Sequence, residues 1–194
     1  MRLTILLLLS TLLYSCHKNI REITQALPSD EKLVEKAKAF PQDWLGYWEG
    51  ELNIYNHKGK TMTIPMALDN AATDNGSIWT WAIIYGEDTI SGRRDYELNV
   101  VDASKGHYLV DEKNSIYLDA FLLDNSLIST FNVGGSIIQS SYELDGEEML
   151  FSIQMYNDKV IRTTGDTIYN GEEIPIVKSY QNAVLQKARL KKIR

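Results

Sequence analysis

The sequence has little that covalent or metal chemistry can use. It contains one cysteine and three histidines in 194 residues, so no internal disulfide can form and stability must come from side-chain burial. The histidines, His17, His57 and His107, lie far apart and show no ligand spacing, which argues against a zinc site. We therefore expect neither a metal nor another cofactor.

Basic residues are also few. Lysine and arginine number 20 against 26 aspartates and glutamates, which gives a net charge of −6. Nucleic-acid binding depends on neutralising phosphates with these basic side chains, so nucleic acid is not an expected partner. No polybasic patch for anionic lipid is evident, so any membrane attachment is predicted to be covalent.

Signatures of catalysis are missing as well. The sequence contains no Gly-x-Ser-x-Gly elbow, no glycine-rich phosphate loop and no free thiol nucleophile. Asp111-Glu112 and Asp119 are conceivable as an acid/base pair, but adjacent residues in a strand point to opposite faces. Their simplest role is loop solvation, and we do not expect an enzyme.

The first sixteen residues have the layout of a bacterial lipoprotein signal peptide. Arg2 gives a positive start, and Leu3 to Leu13 form an apolar run suited to a signal peptide. A membrane-spanning helix needs about 20 such residues. The run ends at Leu13-Tyr14-Ser15-Cys16, which resembles the lipobox, where a signal peptidase cuts before a lipid-bearing cysteine. An ordinary secretory signal followed by a chance cysteine is the alternative.

This resemblance implies that residues 1–15 are removed and that Cys16 becomes lipidated. Stable anchoring takes two or more acyl chains, which a lipoprotein cysteine carries. Residues 16–28 then read as a polar tether. The implied location is the envelope of a Gram-negative bacterium, with the outer membrane preferred, and we expect a monomer.

Residues 29–43 are predicted to form a short helix, capped by Ser29-Asp30 and ended by Pro41. From residue 44 the pattern changes to apolar–polar alternation with turn residues every 8 to 12 positions, which predicts an antiparallel all-β domain. Trp48, Leu52 and Ile54, for example, share one face of the first segment. The connections between these segments are too short for parallel crossovers, so neighbouring strands are expected to be antiparallel.

The alternating segments indicate about ten strands in up-and-down order. They cover 47–55, 61–68, 78–85, 93–101, 107–111, 116–123, 127–133, 136–143, 149–156 and 160–164. Residues 176–194 fit a final strand and a helix almost equally. We prefer the strand, because an unclosed sheet would leave two long edges open to aggregation. The prediction for residues 44–194 is one closed β-barrel.

Gly46-Tyr47-Trp48 resembles the start of a calycin barrel, the superfamily of lipocalins and fatty-acid-binding proteins. There a Gly-x-Trp opens the first strand, and the tryptophan plugs one end of the barrel, often with an arginine or lysine of the last strand stacked on it. The resemblance implies this plug role for Gly46 and Trp48, with Arg189 as the stacked cation. Haem-binding relatives place their proximal histidine near the C-terminus, where this chain has none, so haem is not expected.

Two groups of residues are candidates for ligand binding. Trp79 and Trp81 share a face with Ile83 and Tyr85 and could form a stacking wall, although a packed core or barrel rim explains them equally well. Arg94 and Tyr96 are two residues apart in a predicted strand, so their side chains point to the same, otherwise apolar face. In fatty-acid carriers an interior arginine holds the ligand's head group, while the alternative is a rim arginine that reaches water.

These observations favour a membrane-anchored protein whose barrel binds a small apolar or amphipathic molecule, lipid-like or aromatic. The second hypothesis is a protein-interaction or inhibitor module without an internal ligand. An enzyme is third.

Overall fold

A computed structural model describes residues 39–193, and these residues form a closed antiparallel β-barrel. A 3₁₀ helix, Gln42–Trp44, precedes the first strand, and another, Ala103–Lys105, joins the fourth and fifth. The strands are β1 Gly46–Asn56, β2 Gly59–Ala72, β3 Ile78–Tyr85, β4 Arg93–Asp102, β5 His107–Asp111, β6 Tyr117–Leu123, β7 Ser126–Val133, β8 Ser136–Asp145, β9 Glu148–Thr164, β10 Thr167–Tyr169, β11 Glu172–Ile174 and β12 Val177–Lys192.

Ten of these strands make the barrel. Strands β1 to β9 follow one another around the wall, and β12 lies between β9 and β1 and closes it. The remaining two, β10 and β11, pair only with each other. The predicted all-β, up-and-down barrel of about ten strands is confirmed, and the C-terminal segment is a strand and not a helix.

Two boundaries differ from the sequence-based prediction. The break expected between segments 149–156 and 160–164 is absent, because β9 runs unbroken through both and continues to pair with β12, for example Arg162 with Ser179. Of the helix predicted at 29–43, residues 29–38 lie outside the described part of the chain. The part within it contains only the 3₁₀ turn Gln42–Trp44.

The interior is filled by apolar side chains of the strands and of the 3₁₀ helix before β1. The largest fully buried side chains belong to Trp44, Trp48, Trp81 and Phe151, joined by leucines of β1, β2, β4, β7 and β12. Burial of a large side chain contributes about 1.5–3 kcal/mol, so this core accounts for the stability of a domain without a disulfide.

Trp48 plugs the end of the barrel where the chain enters at Gly46. Its indole is 1% exposed, and its Nε1 donates a hydrogen bond to the Trp44 carbonyl oxygen at 3.0 Å. The cation over its ring is Lys192, whose Nζ lies 5.1 Å from the ring centroid. Arg189 was the wrong choice: it faces outwards and forms ion pairs with Glu148 and Asp145.

A two-stranded arm extends from the other end. Strand β8 pairs with β9 only as far as Asn157, and β1 pairs with β12 only from Leu185 onwards. Between those points β9 and β12 pair with each other alone, and the β10–β11 hairpin continues them. We call residues 158–183 the arm.

The close approach of β1 and β12 explains Gly50. A Cβ atom at this position would lie 2.5 Å from the Arg189 carbonyl oxygen of β12, whereas one at Gly76 in the β2–β3 loop would meet nothing within 4 Å. Overpacking of this kind costs about 1–3 kcal/mol. We expect Gly50→Ala to lower the free energy of unfolding in urea by that amount and Gly76→Ala to leave it nearly unchanged. Equal stability of the two variants would contradict this close contact.

Candidate functional site at the barrel mouth

The two ends of the barrel differ in how they are closed. Phe40 and Trp44 pack edge to face, with ring centroids 4.8 Å apart, and Phe40 lies equally close to Tyr108. With Trp48 they seal what we call the floor. The opposite end, the mouth, is bordered by the β1–β2, β3–β4, β5–β6 and β7–β8 connections and by the base of the arm.

A cavity of about 130 Å³ lies beneath the mouth. Its walls are mainly apolar and aromatic, and they come from β3 to β9. The lining residues are Ile83, Tyr85, Tyr96, Val110, Glu112, Leu118, Ala120, Leu127, Ser129, Phe131, Ser140, Tyr142, Phe151 and Ile153. Larger depressions of about 440 and 530 Å³ are open grooves on the outer wall.

Three small side chains explain why the cavity lies where it does. Ala120 on β6 is directly opposite Ser129 on β7, and Ser129 is directly opposite Ser140 on β8. All three line the cavity. A row of small residues across three neighbouring strands leaves the volume that larger side chains would fill. The Ser129 hydroxyl donates to the Asp119 carbonyl oxygen at 2.6 Å, so this polar group is satisfied within the wall.

The tyrosines of the wall are held in their neutral form. Burial raises the pKa values of Tyr142 and Tyr85 far above the ordinary value, and burial is also the first cause of the raised pKa of Tyr96. Glu112 adds to each shift through its negative charge. The cavity therefore presents neutral phenols near one carboxylate at the mouth.

Only some of the residues predicted for ligand binding line the cavity. Tyr96 lines the cavity, but Trp79 and Trp81 do not, although both are buried and face inwards. Trp81 lies one layer deeper, with its ring centroid 5.6 Å from that of Tyr142. Arg94 is exposed and donates to the carbonyl oxygens of Ser91 and Arg93 at 2.9 and 3.0 Å. It is a rim arginine and not a cavity residue.

A second polar feature, which was not predicted from the sequence, lies near the floor. Asn70 of β2 is 1% exposed and directly opposite Trp81 of β3. Both amide atoms of Asn70 are buried without a hydrogen-bond partner. The buried Trp81 Nε1 makes no hydrogen bond of ordinary length either, although the Tyr142 hydroxyl lies near it. Each such group costs about 1–3 kcal/mol. Asn70 is two residues after Leu68 and four after Met66, so alternation along β2 could have placed its side chain inside the barrel. Instead, residue 70 was assigned to the loop after the predicted strand.

Among residues 39–193, the histidines and acidic residues form no centre of their own. His107 faces outwards, 2.7 Å from Asp119 and stacked on Phe121 with a centroid distance of 4.6 Å. His57 is in the exposed β1–β2 turn, and His17 lies outside the described residues. Within residues 39–193 no three His, Cys, Asp or Glu side chains are grouped to hold a metal ion. The same residues include no helix that could span a membrane.

Comparison with known proteins gives a fold and no family. No protein-family model and no curated protein matches the chain. A solved structure of a protein of unknown function from the DUF3598 family of Nostoc punctiforme shares the fold, with a TM-score of 0.54 at 15% identity. The match covers 78% of this chain but only 48% of that protein. A mutant of the fluorescent protein UnaG is similar at 10% identity and a TM-score of 0.40, covering 79% of this chain and 98% of that one.

Proposed function

We propose that this protein is a membrane-anchored binding protein whose barrel holds an apolar segment of a small amphipathic ligand. The observation that carries the proposal is the cavity beneath the mouth, which is apolar in most of its lining and bordered by phenols. Ligand sites are typically apolar pockets with a few well-placed polar groups, and this cavity has that composition.

The size of the cavity limits how a ligand binds. Pockets that enclose a drug-sized molecule have about 300–1,000 Å³, and this one has about 130 Å³. An apolar cavity of about 150 Å³ holds a molecule the size of benzene. The ligand therefore enters end-on: a short alkyl segment or a single ring occupies the cavity, and the remainder protrudes through the mouth.

Substitutions that narrow or widen the cavity test whether a ligand binds there, with methyl octanoate as the probe. Ala120, in the row with Ser129 and Ser140, is the position to enlarge. Ala120→Leu fills the cavity and should weaken binding at least about tenfold, since the displaced alkyl segment loses about 0.8 kcal/mol for each CH₂ no longer buried. Phe131→Ala widens the cavity and should strengthen binding. The measurement is a fluorescence titration of the chain from residue 16 onwards with Cys16→Ser.

Ala72→Leu, at the exposed end of β2, is the matched control for Ala120→Leu and should leave affinity unchanged. Thermal unfolding of each variant separates lost binding from lost folding. If Ala120→Leu and Phe131→Ala change affinity in the same direction or not at all while remaining folded, the ligand does not bind in this cavity.

Membrane attachment rests on the lipobox at Leu13 to Cys16. We expect that Cys16→Ala abolishes labelling of the protein with radioactive palmitate and leaves its signal peptide uncut, because lipidation of the thiol precedes cleavage in the lipoprotein pathway. Replacement of Tyr14 by Ala should leave labelling intact. Palmitate incorporation into the Cys16→Ala protein in cells would contradict the assignment.

The arm supports a second candidate function, binding of a protein that adds a β-strand to a free edge. Val160, Ile161, Ile168, Ile176 and Val177 of the arm are exposed apolar side chains. Within the described part of the chain, both edges of the arm lack a paired strand. Unpaired strands recognise extended segments of other proteins through main-chain hydrogen bonds.

Site-specific photo-crosslinking in the native cells tests this candidate. A benzoylphenylalanine in place of Ile168, which is 71% exposed, should give one defined protein adduct. The same group in place of Met62, an exposed residue on β2 of the barrel wall, should not. An identical adduct pattern at both positions, or no adduct at Ile168, would count against a role for the arm.

A further inference from the structure

Asn70 and Trp81 together form an unusual polar position inside the barrel. Apart from tyrosines and tryptophans, Asn70 and Ser129 are the only buried polar or charged side chains among the described residues. The Ser129 hydroxyl is satisfied by the wall, whereas both amide atoms of Asn70 are not. Buried polar groups without partners are rare in folded proteins and call for an explanation such as a bound molecule.

The surroundings place this position on the inside of the floor. Asn70 lies between Trp81 on β3 and Gly46 on β1, so one of its cross-strand neighbours has no side chain. Gly46 has a φ of 129°, a conformation that favours glycine. Trp44 covers the same region, with its ring centroid 6.4 Å from that of Trp81. Asn70 and Trp81 are therefore neighbours on the inner face of the barrel, beside the aromatic floor.

The chemistry of the three atoms defines what they bind. The Asn70 Nδ2 and the Trp81 Nε1 are donors, and the Asn70 Oδ1 is an acceptor. No buried charged side chain is present in the described barrel to neutralise an ion, and an unpaired buried charge is very costly. The occupant must be uncharged, and it must both accept and donate hydrogen bonds.

We infer that Asn70 and Trp81 bind the polar end of the barrel's ligand, and that this end is an uncharged donor–acceptor group of the carboxamide type. A carboxamide pairs with the Asn70 amide through two reciprocal hydrogen bonds. The second lone pair of its carbonyl oxygen accepts from the Trp81 Nε1. One group thus satisfies all three atoms.

This inference rests on the proposed binding function and extends it inwards. Tyr142 separates the cavity from Trp81, because it lines the cavity and packs edge to face on the Trp81 ring at 5.6 Å. To reach Asn70, a ligand has to turn aside the Tyr142 ring, whose hydroxyl lies near the Trp81 N–H. Its alkyl chain then lies in the cavity beneath the mouth, with the polar group leading.

Two probes with the same alkyl chain test the inference. Octanamide donates and accepts hydrogen bonds, whereas methyl octanoate only accepts. We expect Asn70→Leu to reduce the preference for octanamide over methyl octanoate by about tenfold, the effect of losing paired hydrogen bonds in a buried site. Trp81→Phe, which removes only the N–H, should reduce it about threefold. Trp79→Phe, on the same strand and face, is the control and should retain the wild-type preference.

The Trp81 indole proton gives a second readout. The chain contains four tryptophans, so ¹⁵N-labelled protein shows few indole signals, and Trp81→Phe identifies the relevant one. This signal should shift downfield on addition of octanamide and much less on addition of methyl octanoate. All measurements use the chain from residue 16 onwards with Cys16→Ser.

The possible results distinguish failure of the Asn70–Trp81 site from failure of ligand binding as a whole. Binding of both probes with a preference that Asn70→Leu does not change overturns the inference and leaves the binding function standing. Cross-relaxation of the Trp81 indole proton with a bound water, unchanged by octanamide, means a structural water only and also overturns it. Failure of both probes to bind overturns the proposed function, and the inference with it.

Discussion

Strands β1 and β12 come from opposite ends of the barrel sequence, and their pairing is the constraint on which the structure depends. It runs from Trp48–Lys192 to Tyr55–Leu185 and gives each wall strand a partner on both sides. Without it the sheet would expose two edges to aggregation, and no interior would be sealed from water. The closure requires the two backbones to meet closely at Gly50, and it brings Lys192 over the Trp48 ring. The same strand, β12, then continues past the barrel into the arm.

Alternation in the sequence predicted most of the wall, because burial of one face of a strand imposes a period of two. It placed Trp48 and Tyr96 on the apolar faces of their strands, and the structure has both facing inwards. The choice of Arg189 as the plug cation failed for a physical reason. Arg189 has the parity of the exposed Lys187 and Lys191, and Lys192 has the parity of the buried Leu190. Alternation along β12 therefore puts Lys192 on the side of the Trp48 ring and Arg189 on the outer surface.

The cavity was beyond sequence reasoning, because it depends on register between strands. Ala120, Ser129 and Ser140 are separated along the chain and become a row only when β6, β7 and β8 pair as they do. Each residue alone is ordinary for a barrel wall. The depth of the cavity depends in turn on Tyr142, whose ring packs between Trp81 and Phe151. The neighbourhood of Asn70 and Trp81 could not be predicted for the same reason, since only the register between β2 and β3 brings them together.

The small cavity also connects the two candidate functions in space. A ligand that enters end-on leaves part of itself outside the mouth, where the β7–β8 turn meets the base of the arm. There the Asp158 backbone N–H donates to the Gly135 carbonyl oxygen at 3.1 Å, and Phe131, two residues before Val133 at the end of β7, lines the cavity. A protein partner paired along the arm would lie beside the protruding part of the ligand. Occupancy of the cavity and binding at the arm are thus expected to influence each other, and each should be measured with the other site both empty and filled.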